Sequence, residues 1–193
     1  MSDPRYTEDW FTAVLPTWRP IFAQLRDAQL KILEIGAFEG RSTRWLLETC
    51  PKATITVIDS FEADPMFPEV AWAGLRERFN RNIAPYRDRV RTCAERSGDV
   101  LPRLLAERQI FHFIYVDGSH WASDVLFDAV CAWRLLAHGG LMCFDDYTWD
   151  VAGISEHQHP RAAIDAFLRI YIGPEAIPDV PNRQVWVQKD API

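Results

Sequence analysis

Short apolar runs punctuate the chain at 31–35 (KILEI), 54–58 (TITVI), 89–93 (RVRTC), 111–116 (FHFIYV) and 141–144 (LMCF). Each is strand-length, and several are apolar nearly throughout, as in strands covered on both faces. Between them apolar positions recur at helical spacing. Segment 41–50 opens with Ser42 and Thr43 and carries Trp45 and Leu46, and 69–84 sets Leu75, Phe79 and Ile83 four apart. Segment 98–108 shows Val100, Leu101, Leu104 and Leu105. In 120–137, Trp121, Val125, Ala129, Trp133 and Leu136 form one stripe, with Asp124 and Asp128 opposite. Strand and helix alternating in this way predict an α/β fold with a mostly parallel sheet and helices on both faces.

The last quarter reads differently. Pro160 suits a first helical turn, and Ile164, Phe167, Leu168 and Tyr171 follow on one face. A short apolar stretch around Ala176 and Ile177, a turn at 178–182 and QVWVQ at 184–188 predict a terminal antiparallel hairpin, since a parallel crossover needs a longer link. Five parallel strands plus this hairpin make a seven-stranded sheet. Residues 1–29 look helical and aromatic (Trp10, Phe11, Trp18, Phe22), broken by Pro16 and Pro20, ahead of a main domain over 30–193. These aromatics are expected to bury against the sheet or a second subunit rather than touch substrate, which leaves a homo-oligomer open.

Composition narrows the class. The 193 residues are 48% apolar and carry 21 basic against 27 acidic side chains, a net charge of −6. That balance speaks against a dedicated nucleic-acid binder, though not against a local basic pocket. No stretch approaches a membrane span of about 18 apolar residues, and MSDPRYTEDW lacks the basic start of a secretory signal. Cys50, Cys93, Cys131 and Cys143 form neither a C-x-x-C pair nor a zinc spacing, so they read as free thiols in a reducing compartment. The expectation is a soluble, cytoplasmic protein that binds neither nucleic acid nor membrane.

Two constellations carry chemistry. The first follows 31–35 as Glu34-Ile35-Gly36-Ala37-Phe38-Glu39-Gly40, with a helix starting near Arg41 and Asp59 closing the second strand. Glycines at such a turn admit unusual backbone angles and close ligand approach. The glycine pair alone fits an ordinary corner equally well, but Glu34 and Asp59 at these spacings favour a nucleoside-type ligand, with Asp59 placed for both ribose hydroxyls. The dinucleotide fingerprint G-x-G-x-x-G is absent, which counts against a nicotinamide oxidoreductase.

The second constellation is Asp117-Gly118-Ser119-His120 after 111–116 and Asp145-Asp146-Tyr147 after 141–144. Ligands of open α/β sheets sit outside the carboxyl ends of the strands. Three carboxylates there suit Mg²⁺, which prefers hard oxygens and leaves sites for substrate. Neighbours on a regular strand face opposite ways, so Asp145 and Asp146 converge only if the strand has already ended. Taken singly, Asp-Gly is a common turn and Asp-Asp a common polar exit. Their clustering is what favours a shared site.

The E-I-G-A-F-E-G segment resembles the E/D-x-G-x-x-x-G motif of class I S-adenosylmethionine-dependent methyltransferases, over roughly residues 30–189. The resemblance implies a Rossmann-like fold and a cofactor-binding set of Glu34, Gly36, Ala37, Gly40, Ser42, Asp59, Ser60, Ser97 and Asp117. In it, Glu34 holds the methionine amino end through backbone or water, Gly36 and Gly40 admit the methionyl portion, and Asp59 takes the ribose. Glu95-Arg96-Ser97 stands where family members often have Gly-x-Ser near the adenine. D-G-S-H with D-D-Y further resembles the metal-dependent macrocin and sugar O-methyltransferases, a group that includes proteins named as cephalosporin hydroxylases. It implies Asp117, Asp145 and Asp146 as Mg²⁺ ligands, His120 as base, and a small hydroxylated acceptor such as a sugar or vicinal diol. Other readings are a metal-independent methyltransferase and a binding module without turnover. Tyr147 and Trp149 are candidates for substrate contact; His157, His159 and the 61–68 loop have no assigned role.

Overall fold

The computed structural model describes residues 4–64, 66–150, 153–178 and 183–190. The chain divides into two compact units, residues 1–96 and 97–193.

The first unit comprises α1 (Leu15–Leu25), β1 (Lys31–Ile35), α2 (Arg41–Thr49), β2 (Thr54–Ile58), α3 (Leu75–Ile83) and β3 (Val90–Cys93). Its strands are parallel, with Lys31 opposite Thr54 and Ile55 opposite Val90. Ile32, Leu33 and Ile35 of β1 and Ile55, Val57 and Ile58 of β2 are buried, the two-faced burial that the apolar runs predict. The N-terminal prolines do not break the helix as expected. Pro16 sits in the first turn, where no intrahelical donor is needed, and Pro20 lies inside α1. Trp18 and Phe22 offset the lost bond, being fully buried against each other and against Trp45. Helix α3 is shorter than the 69–84 pattern: Gly74, in the left-handed region, caps it just before Leu75.

The second unit comprises α4 (Ser97–Ala106), β4 (Phe111–Val116), α5 (Ala122–Leu135), β5 (Leu136–Phe144), α6 (Pro160–Tyr171) and β6 (Val185–Gln188). Strands β4 and β5 are parallel, with Val116 opposite Phe144, and β6 runs antiparallel to β5, with Phe144 opposite Val185.

Six strands are seen among the described residues, not seven. Pro174–Ala176 forms a 3₁₀ turn where the first hairpin strand is expected, and β6 pairs with β5 directly. Gly173-Pro174 and Pro178 favour a turn there, because proline offers no ladder donor. The turn expected at 178–182 lies, apart from Pro178, outside the described residues. Strand β5 also starts at Leu136, earlier than expected. Leu136 pairs with Phe111 of β4 ahead of an irregularity in the register, and Lys189 holds this stretch: its ammonium donates to the Trp133 and Leu136 carbonyls, and its backbone pairs with Gly139 and Gly140. Asp128, expected on the exposed face of α5, is only 1% exposed. Burial lifts its carboxyl to about 7, countered in part by the Ser97 hydroxyl.

Candidate active site

In the first unit the turn between β1 and α2 is built by two carboxylates. Glu34, fully buried on β1, accepts hydrogen bonds from the Ser42 and Thr43 hydroxyls and so ties the strand to the first turn of α2. Burial raises its carboxyl to about 7 despite those donors, and the charge of Asp59 adds to the effect. Asp59 follows β2 and reaches back to the turn. One of its oxygens accepts from the Ala37 and Phe38 amides at 2.8 Å each, and the other from the Phe61 amide at 2.7 Å. Burial still pushes its carboxyl up. A carboxylate has about four acceptor positions. Three are filled by the protein here, and one remains open.

The glycines divide their work. Gly36 takes φ +83° and donates to the Ile58 carbonyl, while Phe38 beside it is also left-handed at φ +47°. Gly40, at φ +76°, serves packing: a Cβ there would lie 2.9 Å from Phe79 and 3.0 Å from Ile83. Ser60 accepts from the Glu62 amide in a local turn. Sequence reasoning missed Glu39. It is 1% exposed, takes bonds from the Thr7 amide and hydroxyl, and pairs with Arg78. Its only sequence signal was an acid within the glycine turn.

The second unit holds the other constellation. Asp117 follows β4; Asp145 and Asp146 follow the last residue of β5, so the strand has ended before either acid. Asp146 adopts φ +59°, the left-handed geometry that aspartate tolerates better than most residues. The three carboxylates thereby converge, each offering an oxygen within 4.8 Å of the others. Burial, followed by the charges of Asp145 and Asp146, holds the Asp117 carboxyl well above the usual range. Such mutual repulsion is what a divalent cation relieves, so Asp117, Asp145 and Asp146 fit a metal of hard-oxygen preference.

His120 joins this cluster, with its Nε2 3.1 Å from Asp146 Oδ2. Trp149 lies against the His120 ring, their centroids 4.8 Å apart, and the His159 ring meets the indole nearly edge-on at 5.9 Å. Tyr147 is buried instead, its hydroxyl donating to Asp165. Asp145 has partners the sequence did not disclose. Tyr115 and Gln184 donate to one of its oxygens, Arg183 and the Asp146 amide to the other. Arg183 and Gln184 precede β6, far along the chain, and no local spacing links them to Asp145. Ser97 opens α4 in this same unit, so of the expected cofactor set Ser97 and Asp117 lie here and the rest in the first unit.

A family profile described as a methyltransferase domain matches residues 33–147, from β1 through both constellations. The chain belongs to this methyltransferase family. Among curated proteins, no sequence matches the chain. Solved methyltransferases share its fold. The MycE methyltransferase of the mycinamycin biosynthetic pathway, in complex with Mg, SAH and mycinamycin VI, superposes with a TM-score of 0.64 at 17% identity, over 95% of this chain and 51% of that one. TomG of Streptomyces achromogenes, an O-methyltransferase of tomaymycin synthesis solved with SAM, gives 0.60 at 23% identity over 82% and 66%. CalS11, a TDP-rhamnose 3'-O-methyltransferase of calicheamicin biosynthesis, gives 0.58 at 18% identity over 91% and 79%. The chain thus spans about half the length of MycE. Like its fold relatives, this methyltransferase domain has a Rossmann-like α/β architecture ending in an antiparallel strand. Among the described residues, no helix is long and apolar enough to cross a membrane.

Proposed function

We propose that this chain is an S-adenosylmethionine-dependent O-methyltransferase, assisted by a divalent cation, that methylates a hydroxyl of a small molecule. The observation that carries this reading is the His120–Asp146 contact of 3.1 Å beside the three converging acids, which sets a proton acceptor next to a metal-fitting cluster. Family membership supports the cofactor, and the Mg- and SAH-containing complex of MycE supports the pairing of cation and cofactor. CalS11 supports a sugar hydroxyl as one acceptor class.

In this reading the turn at 36–40 holds the cofactor, and Asp59 offers its remaining acceptor position to a ribose hydroxyl. The acceptor oxygen forms a bond to the methyl carbon, the carbon–sulfur bond breaks, and its electron pair returns to sulfur. The hydroxyl proton passes to the other ring nitrogen of His120, because Nε2 donates to Asp146. Asp146 orients the imidazole and stabilises it once protonated, and Trp149 limits its rotation. When bound, a divalent cation supplies Lewis acidity that lowers the pKa of the substrate hydroxyl. Holding the acceptor in place contributes at least as much, because it makes the encounter intramolecular.

One observation favours a metal-independent variant: the acceptor positions of Asp145 are all occupied by protein donors. Methyl transfer from S-adenosylmethionine to a panel of sugars and diols separates the two. Activity is expected to vanish on exhaustive chelation and return with Mg²⁺, and His120→Ala is expected to lose about 10²–10⁴-fold in turnover. Full activity in chelator would establish the metal-independent form, and full activity of His120→Ala would remove the base.

A further inference from the structure

Asp145 is 4% exposed and carries four donors. A carboxylate has only about that many acceptor positions. Its near oxygen receives Arg183 Nε at 2.8 Å and the Asp146 amide at 2.8 Å; its other oxygen receives Gln184 Nε2 at 2.9 Å and the Tyr115 hydroxyl. Asp145 cannot take up a cation without giving up one of these. The Asp146 amide is fixed by the backbone, and the Tyr115 side chain is buried within β4. The Arg183 side chain, in contrast, is 37% exposed and can withdraw into water. Its guanidinium is also a positive charge set among carboxylates that repel one another.

We propose that Arg183 is a built-in counter-cation of the acid cluster: it occupies Asp145 until a divalent ion arrives, and the ion displaces it. Asp117 and Asp146 are then the residues that capture the ion first, and Asp145 completes the set when Arg183 leaves. Arg183 lowers the affinity of the site for cations, and metal binding is coupled to withdrawal of its side chain from Asp145. The sign follows from electrostatics. A resident positive charge repels the incoming ion and competes for the same carboxylate oxygen, while its loss leaves the trio with a larger uncompensated negative charge. A guanidinium that merely oriented Asp145 as a ligand would have the opposite effect, because its removal would loosen the site.

This inference rests on the cation-assisted reading, so the experiment measures metal binding alone. Mg²⁺ is titrated calorimetrically, and Mn²⁺ by its paramagnetic resonance signal, into the full chain and its Arg183→Met variant without cofactor or acceptor. The variant is expected to bind both ions at least about tenfold more tightly. Gln184→Ala frees an acceptor position without changing charge and should give a smaller gain. Equal or weaker binding by Arg183→Met, with wild-type binding intact, overturns the counter-cation role and leaves the cation-assisted reading standing. No binding by either protein overturns both. Binding by the variant alone supports the inference in its strongest form. Should Arg183→Met fail to fold, the arginine Nε–H resonances of the wild-type chain give a second test. One of them must shift as Mg²⁺ saturates, and an unchanged set contradicts the displacement.

Discussion

Glu34 shows how much chemistry a single buried carboxyl can hold. It lies fully out of water, clamped by the Ser42 and Thr43 hydroxyls, with its carboxyl raised to about 7 from an ordinary 4.5. A group whose folded pKa exceeds its unfolded one binds more protons in the folded state, so stability is greatest below pH 4.5 and declines as pH rises to about 7. The decline attributable to Glu34 is on the order of 3 kcal/mol. Glu34→Gln keeps an acceptor for the hydroxyls and removes the titration. Urea unfolding at pH 5 and pH 7.5 should therefore show a smaller fall in stability for the variant than for wild type, and parallel falls would contradict the assignment. The sequence marked Glu34 and Asp59 as acids at strand ends, because strand ends are legible from apolar runs. It did not reveal that their own chain satisfies most of their oxygens. Those donors, such as the Phe61 amide, are set by loop conformation, which hydropathy does not encode. The Asp145 partners Arg183 and Gln184 were illegible for a related reason: they come from the approach to a different strand.

At the scale of elements, the start of α2 depends on Gly40. Its left-handed backbone makes the corner, and its missing Cβ lets the corner press against Phe79 and Ile83 of α3. Gly40→Ala combines a left-handed alanine, roughly 1–2 kcal/mol, with crowding against a packed ring, roughly 1–3 kcal/mol. Chemical denaturation should show a loss of about 2–5 kcal/mol, and a loss under 1 kcal/mol would mean that α3 yields easily. Most elements were legible, since strand and helix periods differ and the apolar runs are clean. Two of the misread boundaries were moved by tertiary contacts and a third by local backbone geometry. Pairing with Phe111, held by Lys189, takes β5 back to Leu136, aromatic packing carries α1 through Pro20, and Gly74 delays α3. The missing hairpin strand was a misjudged turn at Gly173-Pro174, where an apolar pair was too short to outweigh its flanking prolines.

For the whole molecule, the net charge of −6 divides into two local purposes. In residues 1–96, buried acids organise a turn; in 97–193, three acids converge on one another with Arg183 and His120 in attendance. The family match runs through both. Cofactor binding is the claim on which every catalytic role here depends. Calorimetric titration of S-adenosylmethionine tests it directly, with the wild-type chain and Asp59→Ala compared under identical conditions. A saturable one-site heat with wild type, lost or weakened at least about tenfold in a folded Asp59→Ala, is the result predicted. No heat with S-adenosylmethionine, or equal binding by both proteins, would contradict it.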